Sequence, residues 1–284
     1  MKHILVIPVY NDWKSLNKLI FNLNKSLHFN KHVINEILIV NDNSSDKVKL
    51  NLKNLKSIKK INMIFLKKNL GSQKAIALGL DHLKKIKKNF FVTIMDGDGE
   101  DDPMLVKKML KIAINNPKCV ITSNRKKREE PIIFLFLYKI HLFLTYLFTW
   151  KWISFGNFST FNKSNINKIL SNNYSLYAHS SSVLKNCKII RLYSKRKKRY
   201  FDKSKLGIIA LVEHSLRVNA VFYKNIFITS LIYLIIITGF LEGNIQFLLG
   251  FGIIIFNIFV LIVKLKHWNN FSSLKKYVKK VKLI

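Results

Sequence analysis

The strongest constraint on the fold is the alternation of apolar and amphipathic segments through the first 125 residues. Runs rich in Ile, Val, Leu and Phe, each with the length of a buried strand, lie at residues 3–9, 36–42, 61–68, 90–96 and 119–125. Segments with apolar residues at helical spacing lie between them, at residues 13–27, 72–86 and 103–115. Continuously apolar strands that alternate with amphipathic helices are typical of a parallel sheet covered on both faces. The pattern therefore predicts an α/β fold with a mostly parallel sheet.

Aspartates stand at the ends of several predicted strands. Asp12 follows the first run, Asp42 ends the second, and Asp96 and Asp98 stand at the end of the fourth. Ligands of open α/β sheets bind beyond the carboxyl ends of the strands. This placement predicts a ligand site at that edge of the sheet.

One stretch is unusually acidic for so basic a chain. The sequence has 49 Lys and Arg against 15 Asp and Glu, yet five of those acids stand within seven positions: Asp96, Asp98, Glu100, Asp101 and Asp102. Crowded carboxylates repel one another unless they share a cation, and Mg²⁺ and Mn²⁺ prefer oxygen ligands. We therefore expect a divalent cation here, although Asp101 and Asp102 could instead begin the next helix, where acids are favoured.

The net charge of +34 suggests an anionic partner, such as nucleic acid, anionic lipid or a phosphorylated substrate. Lys, Asn and Ile are abundant together, which indicates a compositional bias, so arginine positions are more informative than lysines. The basic runs carry no signature of a nucleic-acid-binding fold, and no nucleic-acid partner is expected. The two cysteines, Cys119 and Cys187, are far apart and fit a reducing cytosol.

Two apolar runs near the C-terminus, at residues 225–241 and 245–263, have membrane-spanning length. The three-residue connector between them predicts a helical hairpin. Basic residues such as Lys224 and Lys264 flank its outer ends, so both ends are expected in the cytoplasm. We therefore expect a multi-pass protein of the cell inner (cytoplasmic) membrane with a cytoplasmic catalytic domain, and a homo-oligomer is possible because such hairpins often associate.

A third apolar segment, residues 131–152, is rich in aromatics and carries Lys139 and His141 near its middle. Two polar groups at the centre of a span would be costly, so the segment is expected to be a helix in the membrane interface. A buried core helix is the alternative. The predicted organisation is a cytoplasmic domain that includes this helix, a transmembrane hairpin and a basic cytoplasmic tail, at residues 1–220, 221–266 and 267–284.

Several motifs, taken in order, resemble those of family-2 glycosyltransferases of the GT-A fold. They are VIPVYND, IVNDNSSD, NLGSQKAIALGL and MDGDGEDDP, at residues 6–12, 39–46, 69–80 and 95–103. The resemblance implies a nucleotide-sugar donor, with Asp42 holding the nucleoside and further binding residues at Pro8, Tyr10, Asp12, Gln73 and Asp96. It also implies a Mg²⁺ or Mn²⁺ ion, held by Asp96, Asp98 and Glu100, that offsets the charge of the leaving diphosphate.

Three later stretches resemble the polyprenyl-phosphate branch of that family, which contains the dolichol-phosphate mannose synthase-like and undecaprenyl-phosphate sugar transferases. They are SNRKKR, FGNFSTFNKSNINKIL and RKKRYFDKSKLG, at residues 123–128, 155–170 and 196–207. The resemblance implies an inverting transfer to a polyprenyl phosphate. It also implies acceptor-phosphate contacts from Arg125, Arg128, Arg196 and Ser204, and catalytic roles for Asp98, Arg125 and Arg199. A phosphate acceptor is already a nucleophile at neutral pH, so this reaction needs no strong general base.

Several alternatives stay open from the sequence. The acceptor could be a sugar hydroxyl of a lipid-linked glycan in cell-surface polysaccharide assembly, which needs a base such as Asp101 or Asp102. Pro8 and Tyr10 could merely shape the end of the first strand, and Gln73 could cap the helix that follows it. Ser159 also departs from the branch, because an Arg is common at its position, so the acceptor is less firmly implied than the donor.

Overall fold

The computed structural model describes residues 1–27, 33–125, 132–201 and 207–284. The chain forms two compact units. The sheet unit comprises Met1–Arg128, Phe155–Ser204 and Asn269–Ile284, and the helical unit comprises Glu129–Ser154 and Lys205–Trp268. The division expected from the sequence, at residues 1–220, 221–266 and 267–284, stays a prediction.

The sheet unit contains a mixed sheet whose eight strands, counted within the described residues, lie in the order β7-β5-β6-β4-β1-β2-β3-β8. The strands are β1 (Lys2–Val9), β2 (Ile34–Asn41), β3 (Ile58–Leu66), β4 (Phe91–Ile94), β5 (Cys119–Arg125), β6 (Phe155–Asn162), β7 (Lys188–Ser194) and β8 (Val278–Leu283). The central strands β4, β1, β2 and β3 are parallel, as are β5 and β7, whereas β6 and β8 pair with their neighbours antiparallel. The predicted α/β fold with a mostly parallel sheet is confirmed.

The helices predicted from the sequence lie close to the expected positions. They are α1 (Trp13–Ser26), α2 (Ser72–Lys84), α3 (Pro103–Asn115), α4 (Ile132–Thr149), α8 (Tyr223–Phe240) and α9 (Gly243–Lys266). The structure adds helices that the sequence pattern does not predict, namely α5 (Ile166–Leu170), α6 (His179–Asn186), α7 (Ile208–Ala220) and α10 (Phe271–Lys275). Helix α3 begins at Pro103. The preceding residue, Asp102, accepts a hydrogen bond from the Met104 N–H and caps the helix. The prediction that this acid begins the next helix is therefore confirmed.

Two hydrophobic cores cover the two faces of the sheet. Alternate residues of β1 point to opposite faces, so Leu5 packs with α1 and α3 while Val6 packs with α2. Both side chains are fully buried, and burial of an aliphatic side chain of this size contributes about 1.5–3 kcal/mol. The double coverage explains why the central strands read as continuous apolar runs.

Helix α2 approaches the sheet closely at Gly79. A Cβ atom on this glycine would lie 3.0 Å from a methyl carbon of Val6 and 3.0 Å from one of Val40. The absence of a side chain therefore sets the distance between α2 and the sheet, and α2 follows the loop that reaches the carboxyl ends of the strands.

The basic C-terminal segment, which the sequence suggested to be a tail, ends in a strand. Strand β8 pairs antiparallel with β3 at the sheet edge, and the Lys280 ammonium lies 5.0 Å from the centre of the Phe65 ring. The backbone of β3 thereby gains hydrogen-bond partners along an edge that would otherwise face solvent.

Within its described residues, the helical unit contains two helices that are long and apolar enough to cross a membrane. Helices α8 and α9 have mean hydropathies of 1.5 and 2.6 in their most apolar windows, and Asn257 donates to the Ser230 hydroxyl between them at 2.7 Å. Helix α4 packs beside α8, and the Tyr233 hydroxyl of α8 donates a hydrogen bond to the Leu147 carbonyl of α4 at 2.8 Å. Phe136, Phe143 and Trp150, spaced by seven residues, leave an apolar face of this segment exposed.

Candidate active site

The predicted ligand edge is formed by neighbouring strands. Strands β4, β1 and β2 are adjacent and parallel, so their carboxyl ends lie on one edge of the sheet. Asp12 follows β1, Asp42 follows β2, and residues 96–102, which we call the acidic turn, follow β4. The structure therefore brings these acids to the same edge, as the strand pattern indicates.

Asp42 is held inside the protein by the loop before α2. Its two carboxylate oxygens accept hydrogen bonds from the N–H groups of Leu70 and Gly71, each at 2.8 Å, and the residue is 3% exposed. Burial raises the pKa of this carboxyl, against the opposing effects of the two hydrogen bonds and of the Lys74 charge. Gly71 has a φ of 84°, which favours glycine, and Asp42 thus fixes the loop that leads into α2.

Asp96 is held by the amide of Asn157 and by the carboxylate of Asp101. Its Oδ1 accepts from the Asn157 Nδ2 at 3.0 Å, and its backbone N–H donates to Asp101 at 3.0 Å. Asp101, a candidate base for a sugar-hydroxyl acceptor, therefore serves the backbone of the acidic turn. Asn157 does not stand out in the sequence, because only the fold brings β6 beside the end of β4.

Gln73 does not cap α2. The first turn of that helix has no side-chain cap, and the Gln73 amide instead donates to Asn157 Oδ1 at 3.0 Å and accepts from the His179 N–H at 2.6 Å. The side chain reaches across to β6 and to the first residue of α6. The suggestion that Gln73 caps its own helix is wrong. A contact between Gln73 and the nucleotide sugar stays a prediction.

A basic segment, residues 195–200, lies against the acidic turn. The Tyr200 N–H donates to the Asp98 carbonyl and the Lys197 N–H to the Glu100 carbonyl, both at 3.0 Å. Gly99, with a φ of 89°, packs so closely under the Tyr200 ring that a Cβ there would lie 2.4 Å from the ring carbons. Asn22 of α1 donates to the Tyr200 hydroxyl at 2.7 Å, so the segment is tied to the turn and to a helix.

Side-chain ion pairs join the basic segment to the acids. Arg199 reaches Asp12 with one guanidinium nitrogen at 3.4 Å and Asp98 with the other at 3.5 Å. Arg196 pairs with Glu100. Burial lowers the pKa of the Arg196 guanidinium, while the charges of Asp98 and Asp96 act in the opposite direction. Two of the predicted phosphate-binding arginines therefore lie among the predicted metal and nucleotide ligands.

The remaining predicted residues lie at the end of the first strand or lie partly or wholly outside the described residues. Pro8 is buried in β1, opposite Val40, and Tyr10 is 50% exposed just beyond the strand. Arg125 ends β5, but its side chain lies outside the described part of the structure. Arg128 and Ser204 also lie outside the described residues. Their roles stay predictions from the motifs.

The residues of the acidic turn fit a divalent cation whose coordination is completed by a phosphate of the substrate. Among the described residues, no group of three or more His, Cys, Asp or Glu side chains could hold a metal ion by itself. Mg²⁺ is usually bound through one or two carboxylates together with substrate phosphates. Asp96 and Asp98, two residues apart on one turn, supply such a pair, whereas Glu100 points to Arg196.

Comparison with known proteins gives one family match. The model of the family described as glycosyl transferase family 2 matches residues 4–182. An uncharacterized protein of Methanocaldococcus jannaschii is 26% identical over 131 residues, which are 45% of this chain and 54% of that protein. The chain therefore spans about half the length of this curated relative.

Two solved structures are similar to this chain at low sequence identity. Glucosyl-3-phosphoglycerate synthase from Mycobacterium tuberculosis, solved with Mg²⁺ and uridine diphosphate, has a TM-score of 0.50, 10% identity and 79% coverage of each chain. A mannosyltransferase from Pyrobaculum calidifontis, solved with GDP-Man and Mn²⁺, has a TM-score of 0.49, 10% identity and coverage of 93% of this chain and 86% of that one. The family match and the fold confirm the expected GT-A architecture.

Proposed function

The chain belongs to glycosyl transferase family 2, and from that premise we propose that it is an inverting, metal-dependent glycosyltransferase. It moves a sugar from a nucleotide-sugar donor to a polyprenyl phosphate at the cytoplasmic face of a membrane. The observation that carries this proposal is the joining of the acidic turn to Arg196 and Arg199 at the carboxyl edge of the sheet. Such a site holds carboxylates that can bind a metal ion and arginines that can bind phosphate.

The donor half of the site rests on three acids. Asp96 and Asp98 would hold Mg²⁺ or Mn²⁺, which supplies positive charge against the diphosphate as it leaves. Asp42 orders the loop before α2 through the Leu70 and Gly71 N–H groups, and in this proposal that arrangement places the nucleoside. The similar synthase that was solved with Mg²⁺ and uridine diphosphate supports a donor of this class.

The acceptor half rests on arginines. An acceptor phosphate monoester is already anionic, so the site must bring two anions together rather than remove a proton. Arg199 lies between Asp12 and Asp98, where its guanidinium would offset phosphate charge in the transition state. Arg196 lies beside it, and Arg125, Arg128 and Ser204 are assigned to the acceptor phosphate by their motif positions.

A lipid acceptor is supported by the two apolar helices α8 and α9 and by the exposed apolar face of α4. A sugar-hydroxyl acceptor receives less support, because both of its candidate bases have structural roles. Asp101 binds the Asp96 N–H, while Asp102 caps α3 and pairs with Lys197 at 2.8 Å. A carboxylate committed to such partners is less suited to take a proton from an acceptor.

A transfer assay tests this function. Purified protein with Mn²⁺, undecaprenyl phosphate and a panel of radiolabelled nucleotide sugars should yield a butanol-extractable product that is labile to mild acid. The D98N variant should lower the rate at least about 100-fold, because it removes a carboxylate that would hold the cation offsetting the charge of the leaving diphosphate, while membrane insertion is unchanged. The matched control is D81N, which only breaks an ion pair with Lys275 on α10. Full activity of D98N, or transfer only to a glycan hydroxyl, would contradict the proposal.

A further inference from the structure

We infer that Asn157 is a positioning residue for Asp96, held in one orientation by a closed ring of hydrogen bonds through Gln73, His179 and Ser159. The ring joins α2, β6 and α6, and the Asn157 Nδ2 points out of it, to the Asp96 Oδ1 at 3.0 Å. The inference rests on the proposed role of Asp96 in holding the donor metal and diphosphate.

The direction of every bond along one side of the ring follows from a single backbone group. The His179 N–H can only donate, so the Gln73 atom 2.6 Å away must be the amide oxygen. The Gln73 nitrogen is then the atom that donates to Asn157, at 3.0 Å, and it meets the Asn157 oxygen. This leaves the Asn157 nitrogen to face Asp96. The amide orientation is therefore fixed by the network and not by chance.

Ser159 closes the ring on the other side. Its hydroxyl donates to the Asn157 backbone carbonyl at 3.0 Å and lies 2.8 Å from the His179 Nε2. Burial lowers the pKa of His179 to about 3, so the imidazole is neutral. Because the single hydroxyl proton goes to the carbonyl, the imidazole must donate to Ser159. Gln73, Ser159 and His179 are at most 5% exposed, and such a buried, connected network is stiff.

The chemistry of an amide at position 157 suits the neighbouring carboxylate. An N–H donor suits the carboxylate acceptor of Asp96 and adds no charge, whereas a carboxylate in the same place would set two acceptors about 3 Å apart, where like charges repel. The ring thus holds Asp96 in a single orientation.

The N157L variant tests the inference through the division of its effect between kcat and KM. Leucine has the branched shape of asparagine but no N–H group, so Asp96 loses the contact that holds it in one orientation. We expect kcat to fall about tenfold with KM changed less, because a hydrogen bond to a charged group is lost. Mn²⁺ affinity in the presence of UDP, measured by electron paramagnetic resonance, should fall as well.

Two further variants keep the test decisive. Q73E keeps an acceptor for the His179 N–H but removes the donor that fixes Asn157. It should show the same loss of kcat and of Mn²⁺ affinity, which supplies the test if N157L melts too low to be measured. N162D changes a buried amide of β6 that donates to Asn89 and not to this ring, and should leave kcat and Mn²⁺ affinity unchanged. Unchanged kcat and Mn²⁺ affinity in both ring variants would overturn the inference alone. Failure of the unmodified protein to bind Mn²⁺ with UDP would overturn the proposed function and the inference together.

Discussion

At the scale of single residues, the sequence identifies the acids of the site and their arginine partners Arg196 and Arg199, but not the uncharged residues that contact the acids. Asp12, Asp42, Asp96 and Asp98 can be found because each stands at the end of an apolar run. Asn157, which contacts Asp96, and Tyr200, which contacts the Asp98 carbonyl, lie many residues away in the sequence and carry no local pattern. Their roles depend on which strands become neighbours, and that is decided by the packing of the whole sheet.

Asp42 provides a prediction at this scale. The D42N variant replaces one of two acceptor oxygens with a donor that must face the N–H of Leu70 or Gly71. A buried backbone N–H group that loses its acceptor in this way costs about 1–3 kcal/mol of stability, so the loop before α2 should loosen. We expect UDP affinity, measured by calorimetry, to fall about tenfold or more, with D81N unchanged. Equal affinity in D42N and the unmodified protein would contradict this role.

At the scale of elements, the sequence predicts the strands that are continuously apolar and misses the strands that carry polar or basic residues. The central strands and helices α1, α2 and α3 have unambiguous apolar periodicity, and the structure confirms them. Strands β6, β7 and β8 carry polar or basic residues at many positions, and β6 and β8 pair antiparallel, so neither their identity nor their pairing follows from local pattern. The ring around Asn157 includes β6, so it could not be anticipated.

Gly79 provides a prediction at the scale of packed elements. The G79A variant would place a methyl group 3.0 Å from Val6 and Val40, and overpacking of this kind typically costs about 1–3 kcal/mol. The loss should exceed the gain of about 1 kcal/mol from replacing a helical glycine, so the melting temperature should fall. The control is G252A on α9, where the added methyl group would meet no atom within 4 Å apart from its chain neighbours and the backbone of its own helix. A rise in melting temperature for G79A would show that α2 can shift without cost.

At the scale of the whole molecule, buried histidines link stability to pH. His3 lies between Asn35 and Thr93, and burial lowers its pKa to about 4 and that of His179 to about 3. The unfolded chain, with a histidine pKa near 6.5, binds more protons between about pH 4 and 6.5, so stability must fall as the pH drops through that window.

The loss should be on the order of 2 kcal/mol per histidine at pH 5. Melting temperatures should be constant above about pH 7 and decline below it, and the decline should be shallower in H3Q and H179Q. An unchanged slope in both variants would show that other groups control the acid transition.

The hairpin provides a prediction for the membrane arrangement of the molecule. If α8 and α9 both cross the bilayer, a cysteine introduced at Glu242 in the connector should react with an impermeant maleimide applied to whole cells. A cysteine at Lys275 on α10 should react only after the cells are opened. Labelling of both positions from outside would contradict a cytoplasmic site.

The central claim is that Asp96 and Asp98 share a divalent cation with the donor diphosphate. A crystal soaked with Mn²⁺ and UDP, measured at a wavelength where manganese scatters anomalously, tests it most directly. We predict an anomalous peak in contact with both carboxylates and with the UDP phosphates, and its loss in D98N. UDP bound at this edge with no peak beside the acidic turn, or a manganese ion bound elsewhere, would contradict the claim.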